Sequence, residues 1–248
     1  MIFYLFCYSI RDAGLMFEFY IFKYMLGTLY IVSTPIGNLD DITYRAISTL
    51  KEVDYVFCED TRVTKKLLSR FEINTPVQTY HQHSDRAKYM EVVEMLKSGT
   101  NIALVTDAGT PGISDPGNEL IEYVYKNISD AKIVPIPGAS AVITALSVSG
   151  FPTDKFVFMG FPPHKNKRKK FFLEVMNNKY TTVLYESSHR IEKTLRELSE
   201  VLEEENEIVV GRELTKKFES FYRGKISDVA NMKIPAKGEF VIIIRITN

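Results

Sequence analysis

The sequence predicts a two-domain α/β fold, with a mostly parallel sheet in the first domain and a mixed sheet in the second. From residue 28 onward, short apolar runs alternate with segments of helical period, which is the pattern of βα units. Four of the first five apolar runs end in Pro- or Gly-containing turns or in clustered charge. Beyond residue 150 the turns are short enough to join antiparallel strands.

Each predicted strand of the first domain, residues 28–150, is a short apolar run closed by a turn. These runs cover residues 29–32, 54–58, 77–80, 101–105 and 132–136. The segments between the runs carry apolar residues at helical spacing, and Asp40 and Asp41 can cap the first of them. We therefore predict helices at residues 43–52, 64–71, 86–97 and 118–125.

A Ser-Gly-Phe-Pro-Thr segment at residues 149–153 marks the predicted start of the second domain, residues 151–248. Apolar runs predict its strands at residues 156–159, 181–185, 208–211, 219–222 and 239–246. A basic helix is predicted between the first two of these strands, and a second helix follows residue 190 and reaches Leu202. Short turns around Gly224 and Gly238 favour antiparallel neighbours among the last strands.

Composition indicates a soluble globular protein that is neutral overall. Of its 248 residues 45% are hydrophobic, and Lys+Arg and Asp+Glu number 31 each, so any nucleic-acid contact must come from a local basic patch. Cys7 and Cys58 provide neither a disulfide framework nor a zinc spacing. We therefore expect a reducing, cytoplasmic compartment.

The extension at residues 1–27 differs in composition from the rest of the chain. It is an aromatic-rich apolar run that charged residues such as Arg11 and Glu18 interrupt. A membrane-spanning helix needs ~20 apolar residues nearly free of charge, and a signal peptide needs a basic start and a small-residue cleavage site. We expect translation to begin at Met25, upstream of the first strand. The alternative is an accessory helix packed on the first domain.

The strongest functional candidate is the loop at residues 105–117, which joins a predicted strand to a helix and contains three glycines and two prolines. In open α/β sheets, ligands bind outside the carboxyl ends of the strands. The chain lacks both GxxxxGK[ST] and GxGxxG, so a phosphate cradle is not indicated. Asp107 and Asp115 beside glycines favour a neutral or cationic ligand instead. For Asp115 we favour capping of the following helix, which we expect to carry Pro116 in its first turn.

Two further groups of polar residues are candidates for phosphate or metal contact. A basic run of five residues follows Pro163, and we leave open whether it is a solvated helix face or a phosphate-binding patch. Its members are Lys165, Lys167, Arg168, Lys169 and Lys170. His81 and His83 share one side of an extended segment, but no third ligand stands at a supporting spacing, so we predict no metal site.

Seven segments, in this order, resemble the ribosomal small-subunit RNA methyltransferase I group of the tetrapyrrole methylase superfamily. They are Thr-Pro-Ile-Gly-Asn-Leu at residues 34–39, Glu-Asp-Thr-Arg at 59–62, Asp-Ala-Gly-Thr-Pro at 107–111, Pro-Gly-Ala-Ser at 137–140, Tyr-Glu-Ser-Ser-His-Arg at 185–190, Arg-Glu-Leu-Thr-Lys at 212–216 and Lys-Gly-Glu at 237–239. The resemblance covers about residues 28–246. Members of the group continue into a small helical region beyond the last strand, so we expect any RNA contact of that region to be absent here or supplied otherwise.

The resemblance implies a homodimer that binds S-adenosylmethionine in the cleft between its two domains. The implied reaction methylates the ribose 2′-hydroxyl of a cytidine in the decoding region of 16S ribosomal RNA. The implied cofactor-binding residues are Pro35, Asp107, Gly109, Thr110, Ser140, Ala141 and Tyr185. Helix capping by Ser140 and core packing by Tyr185 remain alternatives to cofactor contact.

A ribose hydroxyl needs a destination for its proton, and residues 59–62 follow a strand at the same sheet edge as the cofactor loop. We expect Arg62 to bind a phosphate beside the target nucleotide and Glu59 or Asp60 to accept the proton. The alternative is that these charges cap the following helix and pair with each other.

Two other functions remain open at this point. One is methylation of a small tetrapyrrole, which would need a wide apolar trough; the charges at residues 59–62 and the basic run favour a polar phosphodiester substrate instead. The other is RNA binding without catalysis on the same fold.

Overall fold

The computed structural model describes residues 26–80 and 86–246. The expectations for Met25 and for the preceding extension fall outside these residues, as do those for His81 and His83. By compactness the chain divides into two units. Unit 1 contains the segments up to Thr34 and from Ile42 to Gly138, and unit 2 contains Pro35–Asp41 and Ala139–Asn248.

Unit 1 is built on a five-stranded parallel sheet, which confirms the predicted parallel arrangement, and the strand order is β3-β2-β4-β1-β5. Its strands are β1 (Thr28–Val32), β2 (Tyr55–Cys58), β3 (Val77–Thr79), β4 (Ile102–Leu104) and β5 (Lys132–Ile136). Its helices are α1 (Tyr44–Glu52), α2 (Thr61–Arg70), α3 (Arg86–Lys97) and α4 (Asn118–Asn127).

Alternate residues of β1 enter different cores, because successive side chains of a strand point to opposite faces. Leu29 and Ile31 lie in a cluster with residues of α3 and α4, whereas Val32 lies in a cluster with residues of α1 and α2. Helices therefore cover both faces of the sheet. This explains why the strands read as continuous apolar runs and not as alternating ones.

Unit 2 contains the predicted mixed sheet, and its strand order is β6-β7-β10-β8-β9. Only β6 and β7 are parallel, and every other neighbouring pair is antiparallel. The strands are β6 (Phe156–Gly160), β7 (Thr181–Ser187), β8 (Glu207–Arg212), β9 (Ser220–Lys225) and β10 (Glu239–Arg245). The helices are α5 (Ala141–Ser147), α6 (Arg168–Met176), α7 (Ile191–Ser199) and α8 (Ile226–Asn231).

The units divide between Gly138 and Ala139, whereas the sequence places the domain boundary at residue 150. The difference arises because α5 buries Val142, Ala145 and Leu146 in the core of unit 2, against inward residues of β10. Burial of a side chain of the size of Val or Leu contributes ~1.5–3 kcal/mol, so this contact outweighs the local Gly-Phe-Pro turn signal. Ile36 joins the same core, which places the segment Pro35–Asp41 in unit 2.

One helix start and one helix cap differ from the sequence prediction. Helix α2 begins at Thr61 because the side chain of Asp60 caps it by accepting the backbone N–H of Arg62. Helix α4 has Gly117, at φ 144°, as its N-cap residue, so Pro116 lies before the helix and not in its first turn. Helix α8 is not predicted from the sequence, because six residues are too few for a periodic signal.

Candidate functional site

The turns that follow β1 and β4 are joined by a pair of backbone hydrogen bonds at the carboxyl edge of the unit 1 sheet. The N–H of Thr34 donates to the carbonyl of Gly109 at 2.9 Å, and the N–H of Gly109 donates back to Thr34 at 3.1 Å. The hydroxyl of Thr34 also donates to the carbonyl of Thr106 at 3.0 Å. Gly109 has φ 85°, a conformation that glycine adopts without steric cost. The two turns therefore form one fixed structure.

Thr110 and the turn after β5 are attached to the same structure through Ser33. The hydroxyls of Ser33 and Thr110 are 2.8 Å apart and share a hydrogen bond. A Cβ atom at Gly138 would lie 2.8 Å from the Cβ of Ser33, so only glycine allows this approach. Sequence reasoning missed Ser33. Its signal was the Pro137-Gly138 pair, whose glycine indicates a close approach of two backbones.

Asp107 connects this edge to the turn after β2. Its carboxylate accepts the backbone N–H of Asp60 at 3.2 Å, and the Asp107 side chain is otherwise exposed to solvent. The predicted catalytic segment and the predicted cofactor loop therefore meet within unit 1. Glu59, the residue that follows β2 directly, is half-buried beside them.

Asp60 and Arg62 form the capping and pairing arrangement that the sequence left open. Two nitrogens of the Arg62 guanidinium donate to the Asp60 carboxylate, at 3.0 and 2.7 Å. The hydrogen bonds from the Arg62 side chain, and then from its backbone N–H, lower the pKa of Asp60 to about 2. A carboxylate with so low a pKa is a weak proton acceptor at neutral pH. The Arg62 side chain remains 86% exposed despite the pairing.

The predicted cofactor residues of unit 2 gather around one apolar core. Ala141 and Tyr185 pack against this core, and Pro35 is buried next to its member Ile36. Ser140 is the N-cap residue of α5, but its side chain makes no capping hydrogen bond. The ring of Tyr185 packs edge-on against Phe158, with centroids 4.8 Å apart, so its packing role is evident from the structure.

Residues 35–39 also meet the segments 212–216 and 237–239 within unit 2, which sequence spacing alone does not show. A Cβ atom at Gly37 would overlap the Cγ of Lys216. Glu213 and Thr215 have φ of 51° and 64°, a region that costs a non-glycine residue ~1–3 kcal/mol. The carboxylate of Glu213 holds the turn by accepting from the Lys216 ammonium and from the N–H of Glu239. Such strain persists only where the surrounding structure fixes it.

Four lysines of the basic run are exposed: Lys165, Lys167, Lys169 and Lys170. Arg168 differs, because only 5% of its surface is accessible and its guanidinium donates to Thr194, Glu197 and the carbonyl of Pro163. The expectation that Arg168 binds RNA is therefore wrong. A buried guanidinium whose donors are engaged is not available to phosphate, and removal of its partners would leave an uncompensated buried charge.

The buried Glu186 completes this ion network. Its carboxylate accepts from Arg190 at 2.8 Å and from the hydroxyl of Thr194 at 2.5 Å. Arg190 also donates to the carbonyl of Pro162, so the network holds the loop that leads into the basic run. Across residues 26–80 and 86–246, no group of three or more His, Cys, Asp or Glu side chains is arranged to hold a metal ion.

Comparison with known proteins adds a family assignment to this geometry. The sequence model of the tetrapyrrole (corrin/porphyrin) methylases matches residues 28–230. A protein of Bacillus subtilis named ribosomal RNA small subunit methyltransferase I is 46% identical over 228 residues, which cover 90% of this chain and 76% of the relative. The protein of the same name from Vibrio cholerae is 47% identical over 221 residues, 87% of this chain and 76% of the relative.

Two solved structures show the same fold at low sequence identity. The cobalamin biosynthetic enzyme cobalt precorrin-4 methyltransferase superposes with a TM-score of 0.64 at 19% identity, covering 87% of this chain and 94% of that protein. The uroporphyrin-III-C-methyltransferase of Thermus thermophilus superposes with a TM-score of 0.61 at 16% identity, covering 88% of this chain and 94% of that protein. At these identities the likeness concerns the fold alone.

Replacing Arg62 with glutamine should raise the pKa of Asp60 from about 2 toward the usual ~3.9 of an aspartate, because the largest cause of the depression is removed. A depressed pKa in the folded state means that the pair stabilises above about pH 4 and that this contribution disappears as the pH falls toward 2. Carboxyl-detected NMR titration measures the midpoint. Arg70→Gln, on the same helix, is the control and should leave the midpoint at its wild-type value. An Asp60 midpoint that is equal in wild type and Arg62→Gln would contradict this assignment.

Proposed function

The chain belongs to the tetrapyrrole methylase family, in the group whose members are named ribosomal RNA small subunit methyltransferase I, and from this premise we propose that it methylates small-subunit ribosomal RNA with S-adenosylmethionine. The finer proposal is methylation of the ribose 2′-hydroxyl of a cytidine in the decoding region. The observation that supports S-adenosylmethionine-dependent methyl transfer is the joined set of turns at the carboxyl edge of the unit 1 sheet, with the exposed carboxylate of Asp107.

The chemistry of this edge fits S-adenosylmethionine, which carries a sulfonium, an ammonium and no phosphate. Asp107 offers a carboxylate whose remaining lone pairs face solvent. Gly109 and Thr110 lie in the same turn, where backbone groups can approach a ligand closely. In unit 2 the proposal assigns cofactor contact to Pro35, Ser140, Ala141 and Tyr185. The hydroxyl of Ser140 makes no helix-capping hydrogen bond, which supports the assignment of this residue to cofactor contact.

The relatives favour RNA over a small tetrapyrrole as the substrate. Those named for ribosomal RNA are 43–47% identical, whereas the two tetrapyrrole enzymes above are 16% and 19% identical. The exposed Lys165, Lys167, Lys169 and Lys170 can neutralise phosphates locally on a chain with no net charge. A cytoplasmic location and a homodimer are part of the proposal, because the ribosome is cytoplasmic and the resemblance implies a dimer.

When bound, S-adenosylmethionine supplies an electrophilic methyl group, and the chain must position the ribose oxygen in line with it and receive the proton. Of the two predicted bases, Asp60 is paired with Arg62 and has a pKa of about 2, so we assign the proton to Glu59. Asp60 then orients Arg62, whose exposed guanidinium can contact a phosphate beside the target nucleotide.

Asp107→Asn should weaken S-adenosylmethionine binding by about 1–3 kcal/mol, because the charge that faces the cationic ligand is lost while the amide can still accept the Asp60 N–H. Isothermal calorimetry measures the dissociation constant. Asp130→Asn, an exposed site after α4, is the matched control and should bind as wild type does. An unchanged constant in Asp107→Asn would remove this residue from the cofactor site. A folded wild type that binds no cofactor would leave only a non-catalytic RNA-binding role.

Replacing Lys165, Lys169 and Lys170 with glutamine should lower RNA affinity and reduce the slope of log affinity against log salt by ~0.7 for each phosphate that is no longer neutralised. Cofactor affinity should not change. The matched control removes three exposed lysines elsewhere in unit 2, Lys179, Lys225 and Lys233. Equal salt slopes in the two triple variants would show that the basic run is only a solvated face.

Glu59→Gln should slow single-turnover methyl transfer to small ribosomal subunits roughly 10²–10⁴-fold at saturating cofactor, which is the usual contribution of a general base. Asp60→Asn is the neighbouring control. Asparagine also caps helices well, so α2 should keep its start, and the loss of rate should be smaller than in Glu59→Gln because only the orientation of Arg62 is affected. A near-wild-type rate in Glu59→Gln would overturn the base assignment and leave alignment of the reactants as the source of the rate.

A further inference from the structure

Helix α2 (Thr61–Arg70) starts at the candidate site and presents a face on which every charge is positive. Arg62, Lys65, Lys66 and Arg70 are all exposed, and the helix contains no acidic residue. Residues four apart on a helix lie on one side and are separated by ~6 Å along its axis. Arg62, Lys66 and Arg70 therefore form a row that leads away from the Asp60–Asp107 contact.

Helix α3, by comparison, pairs both of its lysines with glutamates of its own. Lys88 pairs with Glu91 at 2.9 Å and Lys97 pairs with Glu94 at 3.0 Å, both on α3. Within residues 26–80 and 86–246, by contrast, no ion pair includes Lys65 or Lys66. Like charges four residues apart destabilise a helix, and cations near its amino terminus oppose its dipole. The clustered positive charge therefore destabilises the isolated helix. An anionic partner bound to this face would offset that repulsion.

An open groove of about 720 Å³ continues the same surface beyond the middle of α2. Lys65 and Ser69 contribute to its wall from the helix, and Asn74 and Thr75 contribute from the segment that leads to β3. Glu72 also lines the groove and is the acidic group that faces it, so the favourable charge is concentrated at its Lys65 end. A chain that follows the row of cations would enter the groove at that end.

We infer that the exposed face of α2 binds the phosphodiester backbone of single-stranded RNA flanking the target nucleotide. The inference rests on the proposed function, because the RNA strand starts at the phosphate that Arg62 is proposed to contact. From there the strand continues across unit 1. Charge complementarity selects the occupant, since a row of cations on a helix that contains no acidic residue matches successive phosphates of one strand. An acidic protein is the competing occupant, and the experiment separates the two.

The test compares Lys65→Gln/Lys66→Gln with Lys97→Gln/Lys126→Gln. Both double variants remove two positive charges from exposed helix positions of unit 1, but Lys97 and Lys126 have acidic partners on their own helices. Binding to deproteinised small-subunit ribosomal RNA is measured between about 0.05 and 0.3 M salt. The α2 variant should bind roughly 10–30-fold more weakly at ~0.1 M salt, with a salt slope smaller by ~1.4, as expected when two phosphates of a single strand are no longer neutralised. The control should match wild type.

Equal affinities and slopes for the two double variants on deproteinised RNA would overturn the inference. A weaker affinity seen only with assembled small subunits, and not with deproteinised RNA, would also overturn it and point to an acidic ribosomal protein. Calorimetry should give the same dissociation constant for S-adenosylmethionine with wild type and with both double variants. Absence of methyl transfer by wild type would refute the proposed function itself, whereas methyl transfer by wild type with no α2 effect on RNA binding would refute only this inference.

Discussion

The candidate site depends on the reciprocal hydrogen bonds between Thr34 and Gly109. Parallel strands end at one edge of their sheet, and the polar backbone groups of the turns beyond that edge need partners. Here the turn after β1 and the turn after β4 satisfy each other, and Ser33 adds Thr110 and the close approach of Gly138. With these turns fixed, Asp107 is held where it receives the N–H of Asp60. The geometry of the candidate site therefore depends on the turns after β1, β2, β4 and β5 together.

The fold class could be predicted because each local signal agreed with the final packing. Alternating apolar runs and helical periods predicted parallel strands, and short Gly turns predicted the antiparallel part of unit 2. The assignment of α5 to unit 2 could not be predicted, because it depends on Val142 and Leu146 meeting β10 across almost a hundred residues of chain. Local turn chemistry near residue 150 carries no information about such a contact.

For the site, the sequence located the segments but not the partners of individual side chains. Asp107 and Asp60 could be placed at one sheet edge, since neighbouring parallel strands end together. The sequence left open whether Asp60 pairs with Arg62, and the capped start of α2 at Thr61 decides it. The burial of Arg168 could not be predicted, because a cation inside a run of lysines is expected to be exposed. Only its contacts with the acidic groups of α7 and β7 show that it is buried.

The central claim is that the joined turns of unit 1 form part of the cofactor site, and backbone amide NMR during S-adenosylmethionine titration tests it most directly. The account predicts shifts at the amides of Asp60 and Gly109, at the carboxyl edge of the sheet. The amides of Gly27 and Asp54, at the opposite edge, donate to Leu96 and Asn101 and should not shift. Cofactor binding with shifts at Gly27 or Asp54 and none at Asp60 and Gly109 would contradict the account.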